Sequence, residues 1–145
     1  MKNKFYFKGE VSYKIIDLPT GDIIKESGGH NLVVDVGKNA LISSMAGGSQ
    51  SIINTVKVGT GTTTFTSTDT DLYNVVATNS GEVATSVNNV LTVRALFTFD
   101  SSYQLEEAGV FFNSTAWGLS NEISEAVTPT QGFDITWTIT LITCP

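Results

Sequence analysis

The chain has 145 residues and a mass of 15.5 kDa, so we expect a single domain over residues 1–145. Charged residues make up only 15%, hydrophobic residues 41%, and the net charge is −6, which excludes a charge-driven disordered chain and argues against nucleic acid as a partner. Twenty threonines and thirteen glycines against three prolines favour strands and turns over helices.

The first predicted element is a strand at the amino end. Apolar residues at alternate positions over 5–15 are separated by mostly polar or charged ones, and this period of two is typical of a strand with one buried face. Residues 18–22 have the composition of a turn, after which Ile23 begins a return strand. The sequence therefore predicts an amino-terminal β-hairpin.

One short helix is predicted after a β-branched stretch at 31–36. Asp35 is expected to cap it, residues 38–45 to form it, and Gly47 with Gly48 to end it. Helical spacing places four residues on one side of this helix: Ala40, Leu41, Ser44 and Met45.

The remainder of the chain is predicted to form strands joined by turns and by a surface loop at 65–71. The predicted strands are 52–58, 91–99, 109–112, 121–127 and 133–141. The alternation is clearest in the last of them, where five residues should share a buried face: Phe133, Ile135, Trp137, Ile139 and Leu141. Seven or more closely spaced strands predict an all-β fold, an antiparallel β-sandwich of jelly-roll or immunoglobulin-like type with one short helix.

The aromatic residues fall into two groups. Phe97, Phe99, Phe133 and Trp137 alternate with polar residues in predicted strands, and we expect them in the core. Trp117 stands between two small residues in an apparent loop, so it is predicted to be an exposed contact for a partner.

Residue types used in catalysis are sparse. His30 is the only histidine and Cys144 the only cysteine, and no Gly-x-Ser-x-Gly elbow is present, so no catalytic triad, zinc site or disulfide is predicted. Glu106 and Glu107 are adjacent, and adjacent strand residues face opposite sides, so they cannot form a glycosidase pair. We expect a protein that is not an enzyme, with no catalytic, cofactor-binding or metal-binding residues.

Two further motifs are given structural interpretations. The segment 58–61 lacks the lysine and the following helix of a phosphate-binding loop, so Gly59 and Gly61 are expected to supply positive φ angles at the end of a strand. Asp69 and Asp71 offer too few oxygens for a calcium site and are interpreted as part of an acidic loop before the next strand.

Charge is distributed unevenly along the chain. Residues 1–57 contain seven lysines and five acidic residues, whereas residues 58–145 contain nine acidic residues and only Arg94 as a base. Exposed charges of one sign steer docking to a surface of the other sign. We therefore predict that the basic start of the chain, with Lys2, Lys4 and Lys8, faces a partner.

Four stretches in a fixed order carry a resemblance to a known family. They are 31–39 followed by the short helix, 56–63 with 69–72, 105–112, and the terminal 134–141. In this order they resemble a family of small structural domains found in the virions of tailed bacteriophages. Members of that family occur as stand-alone head or tail proteins and as parts of fibres, and the resemblance spans the chain from about residue 9 onward.

The resemblance implies a non-enzymatic structural protein of a bacteriophage virion. Such a protein would dock on the capsid or tail lattice as an auxiliary or decoration subunit, with capsid or tail subunits as partners, homo-oligomers left open, and no nucleic acid or membrane partner. It would be located in the virion after assembly in the host cytoplasm, and no secretory signal is predicted.

The alternative hypothesis is a carbohydrate- or receptor-binding adhesin domain of a tail or head fibre. Sugar sites combine an exposed aromatic ring with acids and amides. In this chain Trp117, Asn113 and Asn121 would form such a site.

Overall fold

The computed structural model describes residues 4–47, 52–82 and 84–144. Within them lie twelve strands and one helix in the following order: β1 (Lys4–Asp17), β2 (Ile23–His30), β3 (Leu32–Val33), α1 (Asp35–Met45), β4 (Thr55–Gly59), β5 (Val75–Ser80), β6 (Ala84–Val87), β7 (Val90–Thr98), β8 (Tyr103–Leu105), β9 (Glu107–Phe112), β10 (Thr115–Ser120), β11 (Glu125–Val127) and β12 (Gln131–Cys144).

The strands form two five-stranded antiparallel sheets that face each other. The first sheet has the order β2-β1-β12-β7-β6 and the second has the order β3-β10-β9-β4-β5, while β8 and β11 pair as a separate ribbon. One hydrophobic cluster joins side chains from both sheets. The predicted all-β sandwich with one short helix is confirmed.

The longest pairing joins the two ends of the chain in the middle of the first sheet. β1 and β12 pair over their whole length, from Lys4 opposite Cys144 to Asp17 opposite Gln131. On its other side β1 pairs with β2 only from Glu10 to Ile16. The amino-terminal hairpin is confirmed, and β1 extends beyond it.

The apolar residues at alternate positions of these strands, which were predicted to share one buried face, are buried in the structure with one exception. Val11, Tyr13 and Ile15 of β1 are buried, as are Phe133, Ile135, Trp137 and Ile139 of β12. All four aromatic residues expected in the core are buried there: Phe97, Phe99, Phe133 and Trp137. The prediction for Leu141 is wrong, because this residue near the end of β12 is only half-buried.

The second sheet is covered on both faces. All six residues of β9 are buried: Ala108, Val110 and Phe112 join the cluster between the sheets, whereas Phe111 belongs to a second cluster. That second cluster also contains Val34, Phe65, Leu72, Ala116 and Leu119. Residues before the helix and residues of the long loop after β4 therefore close the outer face of this sheet.

The helix ends at Met45 as predicted, but its start differs from the prediction. It begins at Asp35, the N-cap position is Val34, and no side chain caps it. Asp35 instead lies in the first turn, where a negative charge is favourable next to the helix N-terminus, and it pairs with Lys38 at 3.7 Å. Met45, predicted on the same side as Ala40, is 77% exposed.

The strand predicted at 121–127 is wrong in its bounds. Residues 115–120 form β10, and only Glu125–Val127 of the predicted segment is a strand. β5, β6 and β8 were also not predicted, because they are short and their sequences do not alternate strongly.

Truncation of Trp137 tests the packing of the first sheet. Trp137 is 1% exposed, so Trp137→Ala should lower the free energy of unfolding by ~3–5 kcal/mol through lost burial and the cavity left behind. Thr138→Ala, at the next position of the same strand, should cost less than about 1 kcal/mol. Urea unfolding of both variants measures the difference, and equal costs would show that the assignment of faces is wrong.

Candidate functional site

The amino-terminal part of β1 has an open edge. The backbone carbonyl of Gly9 accepts a hydrogen bond from the backbone N–H of Asn31 at 3.3 Å. The N–H and C=O groups of Gly9 therefore point away from β12. Alternate residues of a strand present their N–H and C=O groups to the same edge, which places the backbone groups of Phe5 and Phe7 there too. In the described chain no strand pairs with this edge before Glu10.

A groove of about 620 Å³ lies beside this open edge. We call it the edge groove, and its lining residues are Tyr6, Phe7, Asn31, Leu32, Val33, Lys38, Leu41, Ile42 and Trp117. They come from both sheets and from the helix, because the chain crosses from the first sheet to the second directly after β2.

Four large apolar side chains that line the edge groove are exposed. Tyr6 is 51% exposed and Ile42 is 63% exposed, and Phe7 and Leu32 are exposed as well. Contiguous apolar surface of this kind marks contact sites for other molecules.

The side chain of Asn31 lies at one wall of the groove in a slot made by two glycines. A Cβ atom on Gly9 would overlap the Asn31 amide oxygen, and a Cβ atom on Gly118 would overlap its amide nitrogen. Both amide atoms are buried and have no hydrogen-bond partner among the described residues. An unpaired buried amide costs free energy, so this slot is an unfavourable feature that the rest of the fold must offset.

Two lysines near the groove each have a carboxylate partner. Lys8 pairs with Glu10 at 2.9 Å and Lys38 pairs with Asp35 at 3.7 Å. The hydrogen bond from Lys8 lowers the pKa of Glu10, and Glu10 in turn raises the pKa of Lys8. Both groups are therefore ionised at neutral pH.

The residues predicted to contact a partner are Lys2, Lys4, Lys8 and Trp117. Lys2 lies outside the described residues, the backbone of Lys4 begins β1, and Lys8 is exposed on the same strand. The prediction that Trp117 is exposed is wrong: it is 3% exposed because it belongs to β10, which lies between β3 and β9. Its ring packs edge-on against Phe7, with 5.5 Å between ring centroids.

A buried carboxylate organises the loop on the outer face of the second sheet. Glu107 is fully buried, and its carboxylate accepts hydrogen bonds from the backbone amides of Gly61, Tyr73 and Asn74 at 2.9, 2.8 and 2.7 Å. Both ends of the loop between β4 and β5 are thereby fixed to one side chain.

This carboxylate explains the two glycines at the end of β4. A Cβ atom on Gly59 or Gly61 would come within 2.5 or 2.6 Å of a Glu107 carboxylate oxygen. Neither glycine has a positive φ, so the predicted reason for them is wrong. Gly61 is required by the close approach of the carboxylate, and Gly59 by the approach of both the carboxylate and the Asn74 carbonyl, which would lie 2.4 Å from a Cβ atom.

Three further carboxylates have partners within the protein. Asp134 makes two hydrogen bonds to Arg94, and Asp71 pairs with Lys57 at 3.2 Å. Glu125 accepts from the Tyr13 hydroxyl at 2.7 Å, and burial together with this bond raises the pKa of Tyr13 to about 12. Among residues 4–47, 52–82 and 84–144 no group of three His, Cys, Asp or Glu side chains is placed to hold a metal ion.

Asn31 and Glu107 were not identified as important from the sequence. Gly9 and Gly118 lie within strands, where glycine often marks a close approach of another group, and this was the available signal for the Asn31 slot. For Glu107 the signal was a carboxylate directly before an apolar and small stretch, 108–112.

No protein-family model, curated protein or solved structure matches this chain. In the part of the chain that the structure describes, no helix is long and apolar enough to cross a membrane.

Replacement of Glu107 tests the role of its carboxylate. Glu107→Gln keeps the shape but turns an NH₂ group toward backbone N–H donors, so it should lower the free energy of unfolding by about 2–4 kcal/mol. Its neighbour Glu106 bonds only to the side chains of Gln104 and Ser124, and Glu106→Gln should cost less than about 1 kcal/mol. Denaturant unfolding of the two variants is the measurement, and equal losses would contradict the assigned role.

Proposed function

We propose that this protein is a non-enzymatic structural subunit of a bacteriophage virion that docks on the capsid or tail lattice. The resemblance carried by the four ordered sequence stretches supplies the virion context. The protein would be located in the assembled particle, and its partners would be capsid or tail subunits.

The observation that best supports a docking role is the apolar surface around the edge groove. Tyr6, Phe7, Leu32 and Ile42 are exposed and line one groove between the two sheets and the helix. Exposed apolar surface bordered by charges is typical of protein–protein contact sites. The basic start of the chain, residues 1–8, would attract an acidic neighbour.

The adhesin alternative has less support from the geometry. Trp117 is buried, and Asn113 and Asn121 lie at opposite ends of β10, roughly 20 Å apart along a strand of this length. Their side-chain amides also have protein partners, Asn54 for Asn113 and the backbone of Phe65 and Thr63 for Asn121. The three residues therefore do not converge on one sugar.

The proposal is tested on purified particles of the phage that encodes the chain. Mass spectrometry should find the protein in a fixed ratio to the major capsid or tail subunit, and a cryo-EM map should contain the sandwich on the lattice. Absence of the protein from purified particles would refute the proposal.

Charge reversal at the amino end tests which surface docks. Replacement of Lys2, Lys4 and Lys8 by Glu should reduce occupancy on particles, with a larger effect at low salt than at high salt because exposed charges are screened. The single variant Lys8→Glu is made as well, with Lys14→Glu as its control, since Lys14 is also exposed on β1 but lies where β2 pairs. Thermal unfolding confirms that each variant is folded.

Unchanged occupancy of the triple variant at both salt concentrations would mean that the basic segment does not contribute to docking.

A further inference from the structure

The loop between β4 and β5 is a compact unit whose two ends meet. We call residues 60–74 the flap. The backbone N–H of Thr60 donates to the backbone carbonyl of Asn74 at 3.0 Å, so the flap leaves and rejoins the second sheet at one point. A surface loop of this length with adjoining ends is an Ω-loop, a class of loop that often has a function.

Tyr73 holds the flap together from within. Its ring stacks on the ring of Phe65, with 5.6 Å between ring centroids, and its hydroxyl donates to the Asp69 carboxylate at 2.9 Å. The same carboxylate accepts a hydrogen bond from the backbone N–H of Thr66 at 2.7 Å. These contacts join the middle of the flap to its end, so the segment is built to move as one body.

The two ends of the flap are held strongly. Three backbone N–H groups from these ends donate to the fully buried carboxylate of Glu107, and hydrogen bonds to an ionised acceptor are about twice as strong as neutral ones. Beside them Lys57 of β4 pairs with Asp71 at 3.2 Å. We call this group of contacts the hinge.

The middle of the flap is held by fewer contacts. The side-chain amide of Asn121 accepts a hydrogen bond from the N–H of Phe65 at 2.7 Å and donates to the carbonyl of Thr63 at 3.0 Å. The carbonyl of Ser67 accepts from the N–H of Asp35, at the start of α1, at 2.8 Å. We call these three bonds the latch. They join uncharged groups, so each is weaker than a bond of the hinge.

Release of the latch would uncover a cavity and apolar surface. Phe65 is the only buried side chain of residues 62–70, and it belongs to the same cluster as Leu119. A cavity of about 330 Å³ lies beside the latch, and Phe65, Leu119 and Asn121 are among the residues that line it. Displacement of Phe65 would open this cavity toward the outer face of the second sheet.

We propose that the flap is a lid that swings about the hinge at Glu107 when the latch to Asn121 and Asp35 opens, and that it controls access to the cavity beside Phe65. The hinge stays closed in this motion because its bonds to the carboxylate are stronger than the bonds of the latch. The proposal concerns a motion within this chain and does not depend on a place in a virion.

Hydrogen exchange of backbone amides in the full chain, followed by NMR, tests the motion. The amides of Phe65 and Asp35 lie on different elements, and both bond across the latch. After correction for intrinsic rates, both should exchange at least about tenfold faster than the hinge amides of Gly61, Tyr73 and Asn74. Equal rates at the latch and at the hinge would overturn the proposal.

Asn121→Ala tests whether the flap moves as one body. The variant removes two bonds of the latch, so exchange should accelerate by the same factor, about tenfold, at Phe65 and at Asp35, although Asp35 does not bond to Asn121. Asn113→Ala is the matched control, because Asn113 lies at the other end of β10 and bonds to Asn54, and it should change neither rate. Acceleration at Phe65 alone would refute a single moving body.

Lys57→Met separates a swing about the hinge from detachment of the whole flap. The variant removes the ion pair with Asp71 but keeps an unbranched apolar side chain over the Phe111 ring. Exchange at Tyr73 should accelerate about two- to fivefold, and exchange at Phe65 should not change. Acceleration of Phe65 by the same factor as Tyr73 would show that hinge and latch open together, which contradicts the proposal.

Discussion

The pairing of β1 with β12 is the constraint on which the rest of the structure depends. It joins residues near the two ends of the chain over fourteen residues on each strand and places both strands in the interior of the first sheet, with β2 on one side and β7 on the other. Val11, Tyr13 and Ile15 face the core beside Phe133 and Ile135 because the register fixes which side chains lie inward. A shift of one residue would reverse both faces.

The unequal lengths of the strands around β1 create the candidate site. β12 pairs with β1 over its whole length, whereas β2 pairs with it only from Glu10 to Ile16. After β2 ends at His30, the chain crosses to the second sheet as β3. The crossing leaves the start of β1 open on one side and carries Asn31 into the slot between Gly9 and Gly118. The same crossing leads into α1, which forms another wall of the groove. One topological step therefore produces the open edge, the unpaired amide and the apolar groove.

The sequence predicted those parts of the structure that depend on local periodicity. The hairpin at 5–25 and the strand at 133–141 follow from alternation along one segment. Trp117 was misplaced because its burial comes from distant segments, β3 and Phe7, that cover β10. The slot for Asn31 requires glycines at positions 9 and 118, and the bonds of Glu107 reach back to Gly61 and Tyr73. Neither leaves a periodic signal along the chain.

The exchange of backbone amides along β1 in dilute wild-type protein, followed by NMR, tests the central claim directly. The structure requires slow exchange at Tyr6 and Lys8, which face β12, and at Val11, which faces β2. The amide of Phe7 should exchange about a hundredfold faster or more, because it faces the open edge. Exchange at Phe7 as slow as at Val11, or exchange at Tyr6 and Lys8 as fast as at Phe7, would contradict the pairing from which the groove and its proposed role follow.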